Sequence, residues 1–281
     1  MIAGGLVLMK RFSLLMLIAV TLAAVPPSTR AEELTAEEVV TRYFLTAEFP
    51  EYKQFLTGEY LRLYGEEPPV GGQLPPGATG KVELLHRDSM LQIYSVCIVP
   101  DSTTLGQDLY CYLANDNGTW KIEAVRMLVL MGMFWLAFDQ LEHIPARTPE
   151  QEQQYQNMIL TVLPDSALSQ HLLDNEEDFL KLVGLLTDAP AGVLFGSVNR
   201  LDEQAAFDTE GIGEMLNSMY LNYAGASGDL PGVIDINIGG LIDNSVGYFY
   251  SEDSTLIPPM SANSYIMIRH IKGPWYLYKT T

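Results

Sequence analysis

The sequence predicts an α+β protein of two modules in series, each with helices first and antiparallel strands after. Three observations carry this. The apolar period switches twice from three-or-four residues to two, first near residue 80 and again near residue 233. Asn117-Gly118, between two alternating segments, is a tight-hairpin signal. Thr148-Pro149-Glu150 restarts a helix after the first run of strands. The modules are expected at 32–147 and 148–281, after a leader at 1–31.

The leader comes first in the chain. Lys10 and Arg11 precede the apolar run Phe12–Val25, a Pro26-Pro27 break and the small-residue close Thr29-Arg30-Ala31, which is the plan of a secretory signal peptide. Met9, directly before Lys10, is the expected natural start. The run is shorter than the roughly 20 residues of a spanning helix, so cleavage is expected rather than a retained anchor, with no membrane span afterwards. The mature chain is then secreted or periplasmic. Cleavage removes Lys10, Arg11 and Arg30 from 16 basic residues and leaves 13 against 35 acidic ones, a charge of −22 compared with −19 for the whole chain. Such a surface repels phosphate backbones and anionic lipid, which excludes nucleic acid as an expected partner. An apolar content of 48% is enough for sizeable cores.

Thr35 and Glu38 form a capping box, and Val39, Val40, Tyr43, Phe44 and Ala47 recur at helical spacing over 35–48. After Phe49-Pro50, a second helical face runs through Tyr52, Phe55, Leu56, Tyr60, Leu63 and Tyr64 to Gly65. Residues 66–77 hold too much proline and glycine for regular structure. Strands are then expected at Lys81–Leu85, Leu91–Val99, Leu109–Ala114 and Trp120–Arg126. The apolar run Met127–Phe138 is too short to span a bilayer and reads as a buried strand end leading into a buried helix. Beyond Thr148, helical patterns cover Ala167–Leu173, Glu176–Leu186 and Gly211–Tyr223. Strands follow at Val233–Ile238, Ser245–Ser251, Ser264–His270 and Pro274–Lys279. Tyr110, Gly118 and Trp120 are echoed in spacing by Tyr265, Gly273 and Trp275, which fits either a duplication or the general way a strand starts after a tight turn.

Cys97 and Cys111 both fall in strands. If their hairpin centres near Thr104 they lie opposite each other, so a cross-strand disulfide and a pair of buried thiols are both open. Other chemistry is sparse. No phosphate-binding loop, Gly-x-Ser-x-Gly elbow or His-Glu-x-x-His helix occurs, and Gly211-Ile212-Gly213 lacks the rest of a dinucleotide fingerprint. His86, His143, His171 and His270 are scattered singly, so neither a metal nor a cofactor is expected. Asp235, Asn237 and Asp243 surround a Gly-Gly turn without matching a calcium loop. Alternation with Ile234, Ile236 and Ile238 makes the polar ones a solvated strand face. Asn117-Gly118-Thr119 is formally a glycosylation acceptor, but its turn role suffices.

The order helix, helix, Pro/Gly loop and antiparallel hairpins over 35–126, ending in Gly118-Thr119-Trp120-Lys121-Ile122, resembles the NTF2-like (SnoaL-like, cystatin-like α+β) fold. The resemblance implies a cone whose curved sheet wraps a pocket behind the helices. Its members include isomerases, dehydratases, small-molecule binders and non-catalytic assembly modules, so fold does not choose a function. Enzymes of this kind place an Asp, His or Tyr in an apolar pocket, where burial shifts its pKa. Candidates here are Tyr43, Tyr60, His86, Asp88 and Tyr94. Against each stands a plainer role: Tyr43 and Tyr60 on buried helix stripes, and His86-Arg87-Asp88 as a polar turn. The region from about 150 onward resembles no known family. The expectation is an exported, non-catalytic binding or interaction protein for an unidentified protein or small apolar ligand, with a homodimer open. The alternatives are an isomerase-, dehydratase- or hydrolase-type enzyme acting on a small apolar molecule, and a cell-envelope assembly module.

Overall fold

Residues 34–46, 49–66, 77–99, 106–130, 132–196, 211–241 and 244–281 are described by a computed structural model of the chain. The leader, most of the Pro/Gly loop, the turn after Val99, Met131 and Asp243 lie outside the described residues. The architecture is mixed α+β, with seven helices and two antiparallel sheets among the described residues.

Helix α1 (Ala36–Leu45) starts on the expected capping box, with the Thr35 amide donating to Glu38 and the Glu38 amide donating back to Thr35 Oγ1. It buries Val39, Val40, Tyr43 and Phe44. The second helical face is interrupted. A 3-10 turn, Tyr52–Phe55, is separated from α2 (Gly58–Tyr64) by Leu56-Thr57, which extends to pair with Ile122. The Thr57 amide donates to the Ile122 carbonyl at 3.0 Å. Gly58, at φ 54°, lets the chain turn back into helix.

Strands β1 (Thr79–Arg87), β2 (Leu91–Val99), β3 (Gln107–Asp116) and β4 (Thr119–Arg126) form a meander in sequence order. Asn117 and Gly118 both have positive φ, as the tight turn requires. The β2–β3 register corrects the expected cysteine pairing. Cys97 lies opposite Asp108 and Cys111 opposite Tyr94, three positions from a Cys97–Cys111 match. Side chains alternate across a strand, so an odd shift sends the two sulfurs to opposite faces of the sheet. Both thiols are free and no disulfide forms.

Helix α3 (Gly132–Glu142) corrects another expectation, because the apolar run ends in an exposed helix and not a buried one. Met133 is 67% exposed and Trp135 50%. Its anchorage is Leu141, which is buried, and Phe138, whose ring lies 5.4 Å from that of Tyr155 on α4 (Pro149–Val162). Helix α4 begins on the expected cap, with Thr148 and Gln151 bonding reciprocally. Helices α5 (Asp165–Asp174) and α6 (Glu176–Leu186) follow, then β5 (Leu194–Gly196) and α7 (Ile212–Ser218). Tyr220, in the left-handed region at φ 58°, stops α7 short of the expected Tyr223.

The second sheet comprises β5, β6 (Tyr223–Ala226), β7 (Ile234–Leu241), β8 (Asn244–Tyr250), β9 (Tyr265–Lys272) and β10 (Trp275–Thr280), in the spatial order β5-β6-β7-β8-β10-β9. Strand β7 is covered on both sides, which overturns its expected solvated face. Ile236 and Ile238 enter the main core. On the other side Asn237 is buried and Asp235 accepts a hydrogen bond from Tyr278 Oη at 2.7 Å, beside the stacked Phe249–Tyr278 pair. Burial pushes the Asp235 carboxyl up to about 6, against the Tyr278 bond that lowers it.

Thr35–Thr281 forms one contact unit. The main core joins Ile93, Tyr110 and Tyr112 of the first sheet to Leu168 and Phe179 of the helices and Trp275 and Leu277 of the second sheet, across the 147/148 boundary. Tyr112 Oη donates to the Ile266 carbonyl at 2.9 Å, and Arg126 Nε to the Ala262 carbonyl at 2.6 Å. No helix among the described residues is long and apolar enough to cross a membrane.

Candidate functional site

The polar centre of the molecule lies between the two sheets, on the face of β2 and β3 that turns away from α1 and α2. Alternation places Cys97, Asp108 and Tyr110 on that face. On β10, Trp275, Leu277 and Lys279 share one parity, so Lys279 projects inward beside two core residues. Pro164 leads into α5 and leaves the amide of Asp165 without an intrahelical partner. That amide donates to Asp108 Oδ2 at 2.7 Å, so a strand from the first sheet caps a helix of the second module.

Five charges meet there. Lys279 Nζ lies 2.8 Å from Asp165 Oδ1 and 3.6 Å from Asp108 Oδ2. Arg269 reaches Glu83 at 2.7 Å and Asp165 Oδ2 at 3.4 Å. Tyr110 Oη donates to Asp165 Oδ1 at 2.8 Å. Asp165 is 2% exposed and Lys279 4%, so each ion has lost its water and depends on these partners.

The two aspartates are driven apart. Burial raises the Asp108 carboxyl, the neighbouring Asp165 charge adds to this, and the pull of Lys279 does not reverse it. For Asp165 burial acts in the same sense, but Lys279 and Arg269 together outweigh it and hold the group below the ordinary carboxylate range. Lys279 is held above its ordinary value, because Asp165 and Asp108 outweigh its own desolvation. Burial, with Asp108 beside it, pushes the Cys97 thiol up to about 11, so it is protonated at neutral pH and is not an activated nucleophile.

Two cavities flank this cluster, and Asp108 lines both. One, of about 230 Å³, is bounded by Glu83, Ser95, Cys97, Asp165 and Arg269. The Arg269 Nε is buried without a partner. The other, of about 320 Å³, has an apolar wall of Leu128, Leu130, Trp135, Phe138 and Leu163, with Lys279 and Asp108 as its charged lining. A wider groove of about 440 Å³ is lined by Thr187, Tyr250 and Ser251 with the exposed acids Glu252 and Asp253.

The five residues singled out from sequence lie elsewhere. Tyr43 and Tyr60 are brought together, their hydroxyls 3.2 Å apart in the buried layer beneath α1. Burial pushes Tyr43 up to about 12. Tyr94 donates to Gln92 Oε1 at 2.7 Å, on the same side of the sheet as Cys111. His86 and Asp88 pair at 3.1 Å on the surface, where Asp88 Oδ1 also accepts the amides of Met90 and Leu91, as a turn residue does. None of the five lines the two cavities. Asp108, Asp165, Arg269 and Lys279 were not singled out. The available signal was a charge in phase with an apolar strand face, as in Trp275-x-Leu277-x-Lys279.

Asp139, Glu142 and His143, spaced three and four residues apart, bring three metal-ligating atoms within 4.8 Å of one another at the exposed end of α3, so His143 does have carboxylates at ligand spacing. All three are solvated, and they lie outside the buried cluster. In comparisons with known proteins, no family model, no curated protein and no solved structure matches this chain.

Proposed function

We propose that the chain is an exported, non-catalytic binding protein that seats a small, largely apolar molecule with one polar end in the 320 Å³ cavity. The observation that carries this reading is the cavity's asymmetry, with aromatic and aliphatic side chains on one side and the Asp108–Lys279 pair on the other. Apolar walls with a few convergent polar groups are the common form of small-molecule sites, and the volume falls within their roughly 300–1,000 Å³ range.

The leader pattern at 1–31 supports export. The order α1, α2, then the β1–β4 meander supports the NTF2-like reading of the first module. In that reading the side facing the helices is filled by Tyr43, Phe44, Tyr60 and Tyr94, which supports a ligand on the opposite face. One observation favours the enzymatic alternative: adjacent carboxyls with pKa values displaced in opposite senses are a pattern of acid/base sites. Against it, Asp108 Oδ2 is already engaged by the Asp165 amide and Lys279. The exposed Met133, Trp135 and Leu136 of α3 are what supports an assembly or homodimer reading.

The test uses Trp135, which borders the cavity. Titration with hexan-1-ol is expected to change tryptophan emission and raise the melting temperature, and Trp135→Phe should lose the emission change while keeping the thermal shift. If neither signal responds to six-carbon probes of any head group, the binding reading is wrong.

A further inference from the structure

We propose that the polar end of the ligand is cationic, an alkyl- or arylalkyl-ammonium group that pairs with Asp108. This rests on the 320 Å³ cavity being a binding site. The distances divide the available cations unequally among the three carboxylates. Asp165 has Lys279 at 2.8 Å and Arg269 at 3.4 Å. Glu83 has Arg269 at 2.7 Å and the solvated Lys81 at 3.5 Å. Among the described residues the nearest cation to Asp108 is Lys279 at 3.6 Å, already committed to Asp165. Among the described residues, Asp108 otherwise receives the Asp165 amide and the Cys97 thiol. Among the described residues it is the acid in the cluster whose nearest cation is the most distant, and it lines the apolar cavity.

Two further features suit a cation. Trp135 and Phe138 line the same cavity, and aromatic faces attract ammonium groups while accepting the hydrocarbon attached to them. The chain carries a net charge of −19, which concentrates cations and repels carboxylates on approach. An anionic head group would find Lys279, but its nearest neighbours there would be two aspartates. A neutral alcohol would bury its chain and leave Asp108 as it is.

The experiment compares hexylamine, hexan-1-ol and hexanoate, which differ only at the head, by calorimetry and thermal shift on the wild type and on Asp108→Asn. Hexylamine is expected to bind the wild type about ten-fold or more tighter than hexan-1-ol, the worth of a charge-assisted hydrogen bond. Hexanoate is expected to bind weakest. Asp108→Asn should bring hexylamine and hexan-1-ol to similar affinities, and an unchanged far-UV circular dichroism spectrum shows that the variant is folded. Equal binding of amine and alcohol, or tighter binding of hexanoate, overturns the cationic assignment while leaving the cavity as a binding site. Binding of none of the three overturns both.

Discussion

Replacing Asp165 with Asn is the sharpest test of how the buried cluster holds the molecule together. The amide is nearly isosteric, so the packing of α5 is unchanged, but the charge is lost. Lys279 then loses its 2.8 Å carboxylate, and among the described residues its remaining counter-charge is Asp108 Oδ2 at 3.6 Å, while Arg269 retains Glu83. Removing one member of a buried ion pair costs about 3–5 kcal/mol, because the remaining charge stays desolvated. For a unit of this size that is a fall in melting temperature on the order of 10 °C. Asp108→Asn should behave differently. Its amide oxygen can still accept the Asp165 N–H, and the carboxylate it removes is one the fold disfavours in its charged form. A loss of no more than about 1 kcal/mol is expected, the scale of one neutral hydrogen bond. The pH dependence follows from the opposite shifts. Asp165 has a folded pKa below its unfolded value, so its contribution is fully present above the unfolded pKa and lost as pH falls through the folded one. The gap between wild type and Asp165→Asn should therefore hold from about pH 5 to 8 and narrow only below about pH 4. Urea denaturation followed by far-UV circular dichroism and tryptophan emission measures both variants. Equal losses for the two, or a loss under about 1 kcal/mol for Asp165→Asn, would refute the account of Lys279 as dependent on Asp165.

Asp235→Asn should stabilise the protein by about 1–2 kcal/mol at pH 8, after discount for partial exposure. The Asp235 carboxyl is raised to about 6 in the fold, so its penalty builds between its ordinary 3.8 and about 6, is full above that, and is relieved as pH falls back toward 3.8. Wild type and variant should converge in denaturation experiments run at acid pH. Gly247→Ala should cost more than about 2 kcal/mol in the same assay, because the new methyl would meet the Ile236 carbonyl at 2.5 Å and the Tyr278 ring at 2.8 Å. Peptide mapping without reductant should find Cys97 and Cys111 unlinked, and Cys111 should be alkylated only after denaturation, given its complete burial and raised pKa. A linked pair would overturn the β2–β3 register.

Much of the fold is written in local pattern. Thr35 and Glu38, Thr148-Pro149-Glu150, and Asn117-Gly118 each act within a few residues, and each appears in the structure as read. Glu176–Leu186 matches to the residue. The errors arise where distant chain decides. Leu56-Thr57 leaves the helical pattern because β4 offers a partner. Strand β6, Tyr223-Ala224-Gly225-Ala226, is too short and small-sided to show alternation. Asp235 reads as solvated until Phe249 and Tyr278 are placed beside it. The cysteine register depended on a turn whose length does not fix its centre. The candidate site was least legible, because Asp108, Asp165, Arg269 and Lys279 come from four separate elements, and each alone resembles an ordinary surface charge.

Two of the hydrogen bonds across the seam between the sheets join a side chain to main chain: Tyr112 and Arg126 of the first sheet donate, and the carbonyls of Ile266 and Ala262 accept. A carbonyl is present whatever residue carries it. Substitutions at 262 and 266 that fit the available space therefore leave these bonds intact, whereas truncation of Tyr112 or Arg126 removes one outright. Sequence drift across this contact is unequal by construction, with one partner held to two residue types and the other free to change identity beneath an unchanged bond.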